Sequence, residues 1–353
     1  MSEELDYQRF YQASALSDSA RKAFIQTIWG SSRDFNVFEL SSYFDFLERE
    51  RKGESRVDDP AYSHLCFRHI FRIGSILREK HDESSSRLQD LVQISLPSLS
   101  PKPEVLQDVI KLVIRLMFLV RVEFQNPHSQ PSPYQLQMQD NESFSYTLGG
   151  PQKGPPLRES SAQNVLPLSF NFIDLQRMAN LTIEWTDYLN EHLTYQSGTL
   201  MLFRHIKVLE YMERSEILAG NFYKLEFLIE TRRSIMLFFP LSEYKYSTQD
   251  YLDWFQSRGP IEPWKRLLAG HDPNSSMSRY YEDFPIWHGK LLYLLNISNN
   301  QGNWNLKRCW YDDRDQTLWW IRWGCITVMF LVIPLWLIKS ITSIILAINA
   351  VRS

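Results

Sequence analysis

Cysteine is scarce in this chain: only Cys66, Cys309 and Cys325 occur in 353 residues. Three thiols make no disulfide framework, and Cys325 falls in the most apolar stretch, so the usage fits a reducing compartment. Neither sign of charge dominates. The net charge is −3 and the isoelectric point about 6.3, which leaves no basic footprint for nucleic acid. The N-terminal MSEELDYQRFYQ lacks the basic segment and apolar run of a secretory leader. There is no G-x-S-x-G elbow, no Cys-centred catalytic signature, no internal repeat and no heptad run. Gly149–Gly150 and Gly154–Pro155–Pro156 lie in a proline-rich region rather than between a strand and a helix, so they do not cradle phosphate. What the composition does supply is material for a core. The chain is 44% apolar and 14% aromatic, which excludes wholesale disorder, and its length suits one large or two modest domains.

The most informative stretch is Leu318–Ile338, LWWIRWGCITVMFLVIPLWLI. The 16 residues between Arg322 and Lys339 carry no charge. With Trp319, Trp320 and Ile321 the run reaches about 20 residues, enough to cross about 30 Å of hydrocarbon as a helix. Trp319, Trp320 and Trp323 gather at the upstream edge and Trp336 lies near the downstream one. Indole rings favour the headgroup level, so this reads as an aromatic belt at both interfaces. The expectation is a single C-terminal transmembrane helix over 318–339. Its membrane-anchor residues are Trp319, Trp320, Trp323, Phe330, Leu331, Trp336 and Lys339, and its partner is the lipid bilayer. Past Lys339, residues Ile341, Ile344, Ile345, Ile348 and Val351 form one apolar face. Lys339 can snorkel, so 340–353 is expected to be an amphipathic tail lying on the far leaflet. The alternative is a helix continuing straight through, kinked at Pro334.

The rest reads as mainly α with a small β element near residues 181–203. Residues 1–125 carry helix-spaced apolar positions, as in Phe38, Leu40, Tyr43, Phe44 and Leu47, or Leu65, Phe67, Ile70, Ile73 and Leu77. Glu104–Phe124 is apolar enough to rival the terminal span. Glu104, Asp108, Lys111 and Arg115 make one charged stripe along it, however, and central charges are expensive in lipid. It is therefore expected to be a core helix with one wet edge. Residues 126–167 hold seven prolines amid Gln, Ser and Gly and read as an irregular loop or linker. Residues 168–300 form a second helical part with short strands: LTIEW and the start of GTLMLF as strand, KLEFLIETRRSIMLFFP and FPIWHGKLLYLL as helix. Residues 301–317 are a juxtamembrane segment in which Asp312, Asp313, Arg314 and Asp315 stay in water.

Several of these residues carry a resemblance. Trp185, Thr186, Asp187, Leu189, His192 and Leu193, then Phe203 and His205, then Glu230, Thr231, Arg233, Leu237, Phe239 and Pro240, follow a pattern of W-T-D-x-L-x-x-H-L, F-x-H and E-T-x-R. The chain here resembles a family of uncharacterised ascomycete fungal proteins. Phe284–Leu295 and the WYDDRDQTLWW before the span are similar to two further blocks of that group. The resemblance covers about half the chain, from about residue 170 onward, and implies a mainly helical protein with a C-terminal membrane helix. It implies no catalytic residue.

Candidate chemistry is thin. His64 and His69 flank Cys66 but are five apart, so they do not share a helix face, and no second cluster completes a zinc set. Asp187 and Glu191 would align on a helix as an acid–base pair; the preferred reading has Asp187 capping a turn and Glu191 in solvent. His205, Glu210, and Asp283 with His288 assemble into triads only on paper. No cofactor and no metal is expected. With no signal peptide, the bulk of the chain belongs in the cytosol, leaving Asn141, Asn180, Asn274 and Asn296 of the N-x-[ST] sequons unmodified. The leading expectation is a single-pass, tail-anchored, non-enzymatic scaffold or interaction module of the endoplasmic reticulum or mitochondrial outer membrane, with protein partners and no nucleic acid. One alternative is an enzyme whose site is assembled from distant residues. The other is a membrane-perturbing protein that oligomerises through its C-terminal helix.

Overall fold

Hydroxyl and amide side chains placed just ahead of apolar runs set where the first helices begin. The computed structural model describes residues 5–11, 14–30, 36–53, 59–97, 103–124, 135–149, 165–179, 181–215, 217–239, 248–256, 278–300 and 316–352. Helix α1 (Asp18–Trp29) starts behind Ser17, whose side chain accepts the Ala20 N–H, and stops at Gly30 with φ 63°, a left-handed cap that glycine adopts without strain. Asn36 caps a 3₁₀ turn (Val37–Leu40) that runs directly into α2 (Ser41–Arg51). Helix α3 (Phe67–Glu79) starts from Cys66, and α4 (Ser85–Ser95) from Ser84. Helix α5 (Pro103–Phe118) opens on a proline, which suits a first turn whose N–H groups have no partner in the helix.

Helix α5 is the centre of the fold. Ten of its side chains are buried, from Val105 to Phe118. The charged stripe marks its edge: Tyr62 donates to Asp108 at 2.9 Å, Arg115 pairs with Glu50 at 2.9 Å, and Lys111 pairs with Glu123. The core-helix expectation therefore holds, but not its length. The helix ends at Phe118, Leu119 turns left-handed at φ 54°, and Val122–Phe124 leave as a strand. A helix ending in a dry core leaves its last carbonyls without partners. Three aromatic donors from elsewhere supply them. Tyr43 Oη donates to the Leu116 carbonyl at 2.6 Å, Trp29 Nε1 to Met117 at 3.1 Å and Tyr223 Oη to Phe118 at 2.9 Å. Burial pushes the Tyr43 and Tyr223 hydroxyls far above their ordinary value, so they remain donors.

Residues 126–167 are not irregular throughout. Their described part contains strand β2 (Leu136–Met138), which pairs in parallel with β1 (Val122–Phe124), and helix α6 (Phe144–Gly149). Phe144 of α6 packs 5.3 Å from Phe118 at the end of α5. One hydrophobic cluster runs from Leu5 to Leu295, so both halves of the chain share a core.

After α7 (Phe172–Ala179) comes the small sheet expected near 181–203. It contains β3 (Thr182–Thr186), β4 (Thr194–Gln196) and β5 (Thr199–Phe203), in the order β3-β5-β4. Strands β3 and β5 are parallel, with Thr186 beside Phe203. Their carboxyl ends therefore open on the same edge. Helix α8 (Ile206–Glu213) follows β5 directly; α9 (Leu225–Met236), α10 (Thr248–Gln256) and α11 (His288–Asn300) complete the described folded part. Helix α12 (Gln316–Arg352) is 37 residues long and unbroken, with Pro334 inside it. The tail expected as a separate segment past Lys339 is the continuation of this helix. The Asp312–Asp315 cluster lies outside the described residues.

Candidate functional site

Helix α12 differs from every helix before it in what it packs against. Within the 30 residues from Trp319 to Ile348 the most apolar 18-residue window has a mean hydropathy of 2.2, and none of that window is buried. Among the described residues it is the one helix long and apolar enough to cross a membrane. Phe330 is 76% and Leu331 62% exposed. At an α-helical rise, Trp319 to Lys339 spans about 30 Å, the thickness of a hydrocarbon core. At the near end Trp319 packs against Trp320 and Trp323, with ring centroids 5.0 and 6.2 Å away. Trp336 and Lys339 stand exposed at the far end. Past Lys339 the hydroxyls fold back on the helix: Thr342 bonds the Ile338 and Lys339 carbonyls at 3.0 and 2.9 Å, and Ser343 bonds Lys339 at 2.8 Å. Polar groups satisfied within the helix suit surroundings without water.

Two buried polar networks among the described residues are built around histidines. The first lies where β3 and β5 end. Asp187 follows β3; Arg204 and His205 follow β5. His205 Nε2 meets Asp187 Oδ1 at 2.8 Å, and His205 Nδ1 meets Ser42 Oγ of α2 at 3.2 Å. Asp187 also pairs with Arg204 Nε and with Arg49 Nη2, both at 2.6 Å. Burial pushes its carboxyl up, but the hydrogen bond from His205 and the neighbouring positive charges outweigh that and pull it down to about 2. Burial lowers the His205 imidazole against the opposing pull of Asp187, so the ring is neutral near pH 7. The ionised carboxylate only accepts, which puts the proton on Nε2 and leaves Nδ1 to accept from the Ser42 hydroxyl. The ring is fully buried against Tyr43, Phe46 and Phe203.

The second network joins α9, α11 and the loop after β3. Ser234 Oγ donates to the Thr231 carbonyl at 2.7 Å, His192 Nε2 to Ser234 Oγ at 2.8 Å, and the Phe203 N–H to His192 Nδ1 at 3.3 Å. Both ring nitrogens are thus used in one neutral tautomer, and burial holds this histidine well below its ordinary value. Glu230 Oε1 accepts the N–H groups of Ile286 and Trp287 at 2.8 and 2.6 Å, while Trp287 Nε1 donates to Thr231 Oγ1 at 3.0 Å. Lys290 Nζ donates to the His192 carbonyl at 2.7 Å and sits 4.7 Å over the Trp287 ring. Burial raises Glu230 to about 7 despite its two N–H donors and the Arg233 charge, and lowers Lys290 to about 8. This network fastens the first turn of α11 to α9.

Several sequence-based expectations change here. Asp187 does not cap; Thr186 Oγ1 accepts the Tyr188 N–H at 3.1 Å, and Asp187 turns away to the arginines and His205. Glu191 is not in solvent but buried, bonded to Thr186 and paired with Arg121 at 3.1 Å. The segment is strand and turn rather than helix, so the two carboxylates diverge. Glu210 pairs with Lys207 at 2.9 Å. Asp283 accepts from Ser278, while His288 lies 5.2 Å from the Tyr281 ring. Cys66 is a free thiol 3.3 Å from His69 Nδ1. Among the described residues no three His, Cys, Asp and Glu side chains gather as a metal site. Ser42, Arg49 and Arg204 were not singled out by their sequence, and no local motif marks them. A cleft of about 620 Å³ is lined by Asp18, Lys22, Asn36, Val37, Phe38, Glu39 and Tyr211. Its walls include the 3₁₀ turn that leads to Ser42 and the helix that follows His205. No family model, curated protein or solved structure matches this chain.

Proposed function

We propose that this chain is a membrane-tethered interaction module, with α12 crossing a bilayer once and the folded part standing on the cytosolic face of the endoplasmic reticulum or mitochondrial outer membrane. The observation that carries this reading is the unburied apolar surface of α12. Ile321, Ile326, Val328, Phe330, Leu331, Val332, Ile333, Leu335, Leu337 and Ile338 each favour a bilayer centre by about 0.3–0.6 kcal/mol, several kcal/mol in all. That sum offsets one charge near the edge, since a lysine or arginine costs about 2.5–3.5 kcal/mol even at the centre. Lys339 avoids most of that cost by reaching the headgroups. The free, half-exposed Cys66 thiol suits a reducing cytosol.

A scaffold needs rigid, self-satisfied packing more than a reactive cleft. The buried networks around His192 and Glu230 have that character, because their groups are committed to backbone or to neighbouring elements.

The test is a topology assay on the full chain. A glycosylation acceptor is fused after Ser353 and membranes are extracted at alkaline pH. Asn141 and Asn296 are exposed sequon asparagines and serve as internal reporters. Resistance to extraction, with the fused acceptor modified and the two internal ones bare, is the expected result for the endoplasmic reticulum. Resistance with no acceptor modified leaves the mitochondrial surface or a C-terminus that returns to the cytosol, which a protease-protection assay of the C-terminal tag separates. Release into the soluble fraction, or sugar on Asn141 or Asn296, overturns the reading.

A further inference from the structure

We propose that Ser42 is an activated nucleophile, with His205 as its general base and Asp187 as the group that positions the base, and that it accepts the acyl group of a carboxylic ester. This goes beyond the tether reading and does not depend on it. Three segments far apart in sequence converge on one hydrogen-bond chain, Ser42 Oγ to His205 Nδ1 at 3.2 Å and His205 Nε2 to Asp187 Oδ1 at 2.8 Å. A hydroxyl pointed at a neutral imidazole whose other nitrogen is held by a carboxylate is the arrangement that turns serine into a nucleophile. Two guanidinium groups keep Asp187 ionised, so it fixes the proton on Nε2 and leaves the Nδ1 lone pair for the hydroxyl. His205 is fully buried, whereas Ser42 is partly exposed. The hydrogen-bond chain also sits where the two parallel strands β3 and β5 end on one edge. The cleft of about 620 Å³ is walled by the turn that leads into α2 and by α8, with Glu39 three residues before Ser42 and Tyr211 six after His205 in its lining.

The step balances within these groups and water. Ser42 Oγ bonds to the ester carbonyl carbon as its proton passes to His205 Nδ1. The carbon–oxygen bond to the leaving alcohol breaks, and the alcohol takes that proton. Water then adds to the acyl-serine by the same route and releases the acid.

The full chain in detergent micelles, shown by a cooperative melt to be folded, is treated with a fluorophosphonate, and adducts are mapped by peptide mass spectrometry. The expected result is an adduct on Ser42, formed about 10²–10⁴-fold faster than on any other serine, the range that a positioned base provides. Ser42→Ala removes it. The charged groups facing His205 are Asp187, Arg204 and Arg49. Asp187 favours the imidazolium, so Asp187→Asn moves the acid limb of the labelling rate to lower pH, an effect that a merely structural loss does not produce. A folded wild-type chain with no adduct on Ser42, or one formed no faster than on exposed serines, overturns the proposal.

Discussion

Tyr43 shows what a single atom does here. Its hydroxyl satisfies the Leu116 carbonyl at the buried end of α5, and Tyr43→Phe keeps the ring while orphaning that acceptor. The expected loss is about 1–3 kcal/mol, read as a lower denaturation midpoint with an unchanged slope. Two carboxyls act in opposite senses with pH. Asp187 is depressed in the fold, so its stabilisation is present above the ordinary carboxylate value near 3.8 and is lost as pH falls towards 2. Glu230 is raised, so the fold favours its protonated form; that contribution is present below about 4.5 and is lost as pH rises through 7. Thermal melts from pH 4.5 to 8 should therefore show Glu230→Gln losing less stability with rising pH than the wild type. A parallel decline in both proteins would remove Glu230 from the account.

At the scale of elements, two helices illustrate opposite demands. Helix α3 crosses close to α1 and α5 at Gly74, where an added Cβ would lie 3.0 Å from Ile28 Cδ1 and 4.0 Å from Val113 Cγ1. A larger side chain must displace the Ile28 δ-methyl within a packed core. Gly74→Val is expected to destabilise by about 1–3 kcal/mol through overpacking, measurable by chemical denaturation. Helix α12 leaves its apolar window unburied, and its constraint is the solvent. Leu331 lies close to the middle of the stretch from Trp319 to Lys339, so Leu331→Arg adds about 2.5–3.5 kcal/mol to insertion. Combined with Phe330→Arg, it should release the protein in alkaline extraction while the melt of the folded part stays unchanged. The two helices also differ in legibility. The pattern of α12 is its own composition. The pattern of α5 predicts a core helix six residues longer than the one observed, because Leu119 takes a left-handed turn, its N–H on the Arg115 carbonyl and its own carbonyl accepting the Leu189 N–H.

For the whole molecule, the shared core decides how the chain unfolds. Phe118, Phe144 and Phe222 pack together from α5, α6 and the turn before α9. The described part of residues 126–167 therefore contributes to the centre of the fold. Unfolding followed by tryptophan fluorescence and by far-ultraviolet dichroism should give one coincident transition; two resolved transitions would show that the halves are energetically separate.

The terminal helix, the small sheet near 181–203 and the mainly helical class are legible in the amino-acid order alone. Each depends on local composition or period, and a helix in lipid satisfies its own backbone whatever surrounds it. Only the tertiary structure decided where the charges go. Asp187 meets Arg49 from 138 residues away, and His205 meets Ser42 from 163. Such pairings have no period and no spacing to read, because they arise when β3 and β5 end on the same edge and α2 is packed against it. The same holds for the three aromatic donors that close α5. Tyr43, Trp29 and Tyr223 look like ordinary core residues in the sequence, and their hydroxyl and indole N–H groups acquire a role only because α5 ends where no water reaches it.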